Sequence, residues 1–203
     1  MVISKRREET AAETRRLILA AAKELYLEQG DGQVPTKELA RKAGVAEGTI
    51  FSHFPDKATL LAAALHDDLH QAIARACETL PPHGACREKV LHLARALYGY
   101  YALRPELSRA LVKEAFFLSG EWGERVLAEV RGAILLMAGW VHETKAKGIY
   151  ARDVDEHLAA RSMFAAYFAE LLMALSAPRF DVEEALRWLD AHIKQLEQGL
   201  INR

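Results

Sequence analysis

Residues 36–57, TKELARKAGVAEGTIFSHFPDK, read as two short helices joined by a tight turn and followed at once by a third. Leu39, Ala40 and Ala43 recur at helical spacing, Gly44 supplies the backbone freedom a helix C-terminus needs, and Val45 is the apolar residue expected to tuck the turn into the core. The first helix is therefore expected to end at Gly44. In the next segment, Glu47 to His53, only Ile50 and Phe54 fall four apart on one apolar face, which leaves Thr49, Phe51, Ser52 and His53 pointing outward. An exposed aromatic among small polar residues has a physical use. Such a face can lie in a major groove of DNA, where a helix N-terminus meets base edges and phosphates.

Outward from this stretch, TRRLILAAAKELYLEQG on the N-terminal side is helical in pattern, and Asp56 after Pro55 makes a good N-cap for a helix running toward Leu80. That helix spans about 24 residues, roughly 36 Å, and can act as a lever between the DNA-reading head and the rest of the chain. Further breaks at QGDGQVP, LPPHG, LRPE, LSGEWG, KGIYARD and SAPRFD leave about nine helical segments and no alternating strand, so the fold class is all-α.

The pattern resembles the N-terminal domain of the tetracycline-repressor (TetR) family of bacterial one-component regulators. The residues that carry the likeness are TRRLILAAAKELYLEQG, AGVAEGTIFSHFPDK and the spacing of Gly44, Gly48, Thr49, Phe54 and Lys57. The resemblance implies a three-helix helix-turn-helix head, residues 1–55 with a short flexible arm at 1–10, joined by the long helix to a ligand-binding and dimerisation domain, residues 56–203. It also implies DNA contacts by Thr36, Lys37, Glu47, Gly48, Thr49, Phe51, Ser52, His53 and Lys57. Four positions depart from the family pattern. Ala46 stands where a capping Ser is usual, Glu47 where Lys or Arg is frequent, Phe51 where Tyr is common, and Pro35 where Thr is frequent, leaving Thr36 as the expected cap and phosphate donor. Losing the cap costs about 1 kcal/mol, and Glu47 suits the helix dipole but opposes phosphate.

A hydrophobic share of 51% in 203 residues is ample for a buried core and excludes disorder as the main state. The net charge of -1, with ten Lys/Arg against nine Asp/Glu through position 60, excludes a protein that coats nucleic acid indiscriminately; the motif carries the DNA reading. MVIS is too short for a signal core before Lys5, Arg6 and Arg7, and no uncharged run reaches the roughly 20 residues that span a bilayer, so a cytoplasmic protein with no membrane partner is expected.

In the C-terminal part, GAILLMAGWV, residues 132–141, is uncharged inside a longer helical pattern and is expected to run through the core. Polar and aromatic groups around it, His92, Tyr100, Glu114, Phe117, Met137, Trp140, Phe164 and Tyr167, are the candidates for lining a ligand cavity; ordinary core packing is the alternative for each. His142 joins them as an embedded polar group that needs a partner. Val182, Leu186, Leu189, Ile193, Leu196 and Leu200 form a heptad seam, and Ser162, Ala165, Ala166 and Ala169 a small-residue stripe. Two such helices from each of two chains make a four-helix dimer interface, with Ala165, Ala169, Leu186, Leu189, Ile193 and Leu196 as its residues; the alternative is a seam that packs within its own chain.

Other constellations carry less. Cys77 and Cys86 are the only cysteines, read as free thiols or, alternatively, as a redox pair. His66 and His70 lie four apart, so two imidazoles could meet one metal, and Cys77, His83 and Cys86 stand near by in sequence; two ligands are not a site, no CxxC spacing is present and a solvated helix face is the simpler reading, so no metal and no cofactor are expected. Lys5, Arg6 and Arg7 could reach a minor groove but read more simply as a solvated tail. A helical-bundle enzyme is a distant alternative: GxSxG and phosphate-binding Gly-rich loops are absent and the paired acids are adjacent, pointing apart on a helix. The expected function is that of a regulator, most simply a repressor, that holds a palindromic operator as a homodimer and is released by a hydrophobic or amphipathic small molecule. A redox-responsive or ligand-independent regulator is the alternative.

Overall fold

The computed structural model describes residues 2–30 and 34–200, with side chains from Glu8 onward. Among the described residues there are nine α-helices: α1 (Val2–Gln29), α2 (Thr36–Ala43), α3 (Glu47–His53), α4 (Lys57–Glu78), α5 (Cys86–Ala102), α6 (Pro105–Ala115), α7 (Gly120–Ala146), α8 (Glu156–Ser176) and α9 (Val182–Leu200). The all-α reading holds.

The chain packs as two compact units. The first holds the residues through Asp68 together with Glu106–Glu124. α1 runs without Gly or Pro until Gly30, where a backbone φ of +79° ends it. It buries Ile18, Ala21, Ala22, Leu25 and Tyr26, one helical stripe, and packs against α2, whose Leu39, Ala40 and Ala43 face it. Burial alone pushes the Tyr26 hydroxyl up to about 12. Residues 2–10, expected as a flexible arm, are the opening turns of α1, because nothing in VISKRREET breaks a helix. The side chains of Lys5, Arg6 and Arg7 lie outside the described residues. Packing divides the chain away from the expected 55/56 boundary: α4 passes from one unit to the other after Asp68, and α6 with the start of α7 belongs to the first.

The second unit holds Leu69–Pro105 and the chain from Arg125. In it α9 packs against α8 and α5. Asp155 caps α8 by accepting the His157 and Leu158 N–H groups, and Asp181 accepts the N–H of Glu184 at the start of α9. The Tyr98 and Tyr167 rings stack 5.2 Å apart, and the Tyr98 hydroxyl donates to the Tyr167 carbonyl at 2.8 Å. Lys89, almost wholly buried, is neutralised by Glu143 at 2.6 Å.

The seam of α9 is covered by its own chain. Leu186, Leu189 and Ile193 are buried there, the last two at 0% exposure, and Leu196 is half-buried. This corrects the assignment of Leu186, Leu189 and Ile193 to a dimer interface: heptad spacing says that a stripe is covered, and here α8 and α5 cover it. The small-residue stripe of α8 behaves differently. Ala165 and Ala169 are exposed, and Leu158, Leu172 and Met173 join them on one uncovered apolar side. α8 is long and apolar enough, with a mean hydropathy of 1.4, to cross a membrane by length and composition, yet 44% of that window is buried inside its own chain.

Candidate nucleic-acid interface

The turn between α2 and α3 is built by Gly44. At φ +70° it lets two N–H groups fold back on α2: Gly44 donates to the Arg41 carbonyl at 3.3 Å and Val45 to that of Ala40 at 3.0 Å. These two bonds are a Schellman motif, and a side chain at position 44 would strain it. Val45 is half-buried rather than a core residue. Pro35, not Thr36, occupies the N-cap of α2, without a side-chain cap, and Thr36 is the first helical residue. The expected Thr36 cap is therefore corrected: the fixed φ of proline already starts the turn, which leaves the Thr36 hydroxyl uncommitted to capping.

α3 begins at Ala46, which caps nothing with its side chain, and turns Ile50 inward at 2% exposure. Phe54, one turn on, is at 0%. Glu47, Gly48, Ser52 and Phe51, the last at 47%, are exposed, and Thr49 and His53 are half-exposed. Phe54 adopts an extended conformation (φ -137°), as a residue before proline must, so α3 stops at His53. Asp56 then accepts the Thr59 N–H at 2.7 Å and starts α4, which puts Lys57 in an exposed first turn.

Thr36, Phe51 and Lys57 border one shallow crevice of about 10 Å³, so residues from three helices meet on one face. Lys37 is exposed, and so is Arg41, a cation in the last turn of α2 that the sequence reading passed over. Its signal was present: it follows Lys37 by four residues, the spacing of one helical face. Arg15 was also missed, because its partners, His53 and Phe54, are 38 and 39 positions away.

The expected ligand-lining residues do not form one group. His92 and Tyr100 border a cavity of about 480 Å³ in the second unit, with Thr79, Arg75, Arg95 and Leu103. The His92 ring nitrogen lies 3.1 Å from the Ala76 carbonyl and 3.0 Å from the Thr79 hydroxyl. Met137, Trp140 and Tyr167 are buried, and Phe164 packs on Tyr167 and Phe168. Glu114 and Phe117 belong to the first unit. Glu114 pairs with Lys113, and Phe117 is 89% exposed in the turn after α6, so its ring walls no cavity; an aromatic side chain does not report its own burial. His142 is likewise on the surface, paired with Glu156 at 3.0 Å.

The family model described as bacterial regulatory proteins, tetR family, matches residues 18–64, the span from α1 through the first turns of α4 just described. This head, residues 18–64, matches the TetR family of bacterial regulatory proteins. The HTH-type transcriptional regulator TtgR of Pseudomonas putida is 35% identical over 99 residues, 46% of this chain and 47% of that regulator, so the match spans about half the relative's length. The fatty acid metabolism regulator protein of Bacillus subtilis is 24% identical over 147 residues, 72% of this chain and 76% of that one. The solved structure of Thermus thermophilus FadR, a TetR-family transcriptional repressor in complex with lauroyl-CoA, superposes with a TM-score of 0.70 at 21% identity, covering 93% of this chain and 96% of that one. A likeness at that identity is one of fold. Within the matched span, α2 and α3 form the helix-turn-helix.

The two thiols differ in burial. Cys86 is buried, and burial pushes its thiol up to about 11; half-buried Cys77 is raised by the same cause. At pH 8 a thiol at 11 is thiolate in about one molecule in a thousand. An aromatic disulfide reagent at pH 8 is therefore expected to modify Cys77 first and Cys86 only in denaturant. Rapid release of two equivalents from the folded protein would contradict the burial of Cys86.

Proposed function

We propose that this regulator represses transcription by holding a palindromic operator as a homodimer, with α3 of each chain in a major groove, and that a hydrophobic or amphipathic small molecule releases it. The observation that carries the reading is the division of α3 and its C-cap into an inward pair, Ile50 and Phe54, and an outward set, Thr49, Phe51, Ser52 and His53, beside Lys57. Thr36, Lys37, Glu47 and Gly48 complete the proposed contact set. The uncovered apolar side of α8 supports assembly through Ala165, Ala169, Leu172 and Met173, with exposed Trp188 of α9 next to it. The lauroyl-CoA held by Thermus thermophilus FadR and the name of the Bacillus subtilis relative support an acyl thioester as the effector class. His92 and Tyr100, which border a cavity, and the buried Met137, Trp140 and Tyr167 with Phe164 remain the proposed ligand contacts. A cytoplasmic location follows from the same reading. Coupling of about 3 kcal/mol between ligand and DNA suffices for a release on the order of a hundredfold.

The test starts with duplexes selected from a random library by the wild-type protein. Lys57→Ala should weaken selected and scrambled duplexes alike and lower the salt slope by about one unit, whereas Thr49→Val should change which sequences are preferred. An unchanged affinity and slope in folded Lys57→Ala overturns the docking. Dodecanoyl-CoA, titrated into the complex against coenzyme A alone, tests the effector class.

A further inference from the structure

Arg15 on α1 ends in three contacts at once. Its Nη1 donates to the His53 carbonyl at 3.3 Å, and its guanidinium carbon lies 4.4 Å from the Phe54 ring centroid and 5.9 Å from that of Trp122. Trp122 in turn meets the His66 ring of α4 edge-on, with centroids 5.4 Å apart and planes at 81°. All five residues belong to the first unit. The His53 carbonyl is among the last of α3, where no following turn supplies a donor: Phe54 is extended and Pro55 has no N–H. A helix of seven residues makes few bonds of its own, so what grips its end sets its direction. A guanidinium, planar and always charged, can donate in its plane and offer its charge to ring faces together, which an ammonium does less well.

Trp122 is held by the corner before it. A Cβ on Gly123 would stand 2.2 Å from the Leu118 carbonyl oxygen, so the turn between α6 and α7 lies against the first turn of α7 with no room to slide. Beyond Glu124 the same α7 continues in the second unit, as α4 does beyond Asp68. α7 is thus one of three covalent lines into the unit that holds α3, with α4 and the Pro105–Glu106 link.

We propose that Arg15 and Trp122 are positioning residues that form a latch, through which the α6–α7 corner sets the orientation of α3. The proposal rests on the reading of α3 as the DNA-reading helix. Drawing Trp122 away removes one of the two rings that hold the guanidinium and slackens its grip on the end of α3. Thr49, Ser52 and His53 then lose their register on base edges, while Lys57, on α4, keeps its phosphate. Loosening the latch costs sequence preference before it costs electrostatic attraction.

Two measurements test it. In hydrogen exchange without DNA, Arg15→Met and Trp122→Leu should each speed exchange of the amides of residues 47–54 on the order of tenfold, the double variant should be no faster than either, and Arg15→Lys should fall between. Amides of residues 18–26 in α1 and of α9 should keep wild-type rates, which shows that both units remain folded. Wild-type rates at residues 47–54 in folded Trp122→Leu, or effects that simply add in the double variant, overturn the latch. In the second measurement, the ratio of affinities for a selected and a scrambled duplex should fall on the order of tenfold in both single variants at an unchanged salt slope. An unchanged ratio overturns the proposal. If the wild-type protein selects no sequence, the DNA reading itself fails, and the exchange measurement alone decides whether the latch exists.

Discussion

Charging the uncovered side of α8, by Ala165→Glu with Met173→Glu, is expected to give a folded monomer that binds the selected duplex on the order of a hundredfold or more weaker than the wild type. Met173 is 68% exposed and Ala165 is exposed, so neither change touches the core of its own chain and helicity by circular dichroism should be preserved. In the proposed dimer both residues would become buried, and an unpaired carboxylate there costs several kcal/mol. The expected loss of DNA affinity rests on the proposed docking: half-sites roughly 34 Å apart would be held by two linked heads, and one head alone forfeits the gain in effective concentration. Sedimentation of the variant beside the wild type decides the matter. A variant that stays dimeric moves the interface off this side of α8.

The second large effect lies one helix away and has the opposite character. Leu189 is at 0% exposure between α9, α8 and α5, and Leu189→Ala should lower unfolding stability by about 2–5 kcal/mol. Leu189→Glu buries a charge without a partner and should abolish the folded second unit, since a domain has only about 5–15 kcal/mol to lose. Denaturant unfolding followed by circular dichroism reads both. A Leu189→Glu protein that retained its helices and merely became monomeric would return the α9 seam to a subunit interface.

That contrast marks how much of the molecule was legible in the chain. The ends of α2 and α3 followed from Gly44, from the Pro55 and Asp56 pair, and from the four-residue step between Ile50 and Phe54. Each of these is a short-range rule: a positive φ, a missing N–H, a period of 3.6 residues. They act within a turn or two, so sequence alone determined the all-α class, the helix-turn-helix and its outward residues. The departures have equally local causes. Pro35 already fixes its own φ, so it starts α2 and Thr36 does not.

Tertiary structure decided what periodicity leaves open. The heptad stripe of α9 announced that something covers Leu186, Leu189 and Ile193, but a stripe carries no mark of whose helix does the covering; α8 and α5 of the same chain do. On α8, apolar all round, no periodicity distinguishes the side that holds Met163 and Leu171 from the side that leaves Ala169 and Met173 uncovered. Phe117 looked like a pocket wall by residue type and is a surface ring, because the end of α6 and the following turn present it to solvent. Arg15 read as one more charge on a long helix. Only the fold brings its guanidinium to the end of α3 and to Trp122, residues separated from it by 38 and 107 positions, and no local rule spans such distances.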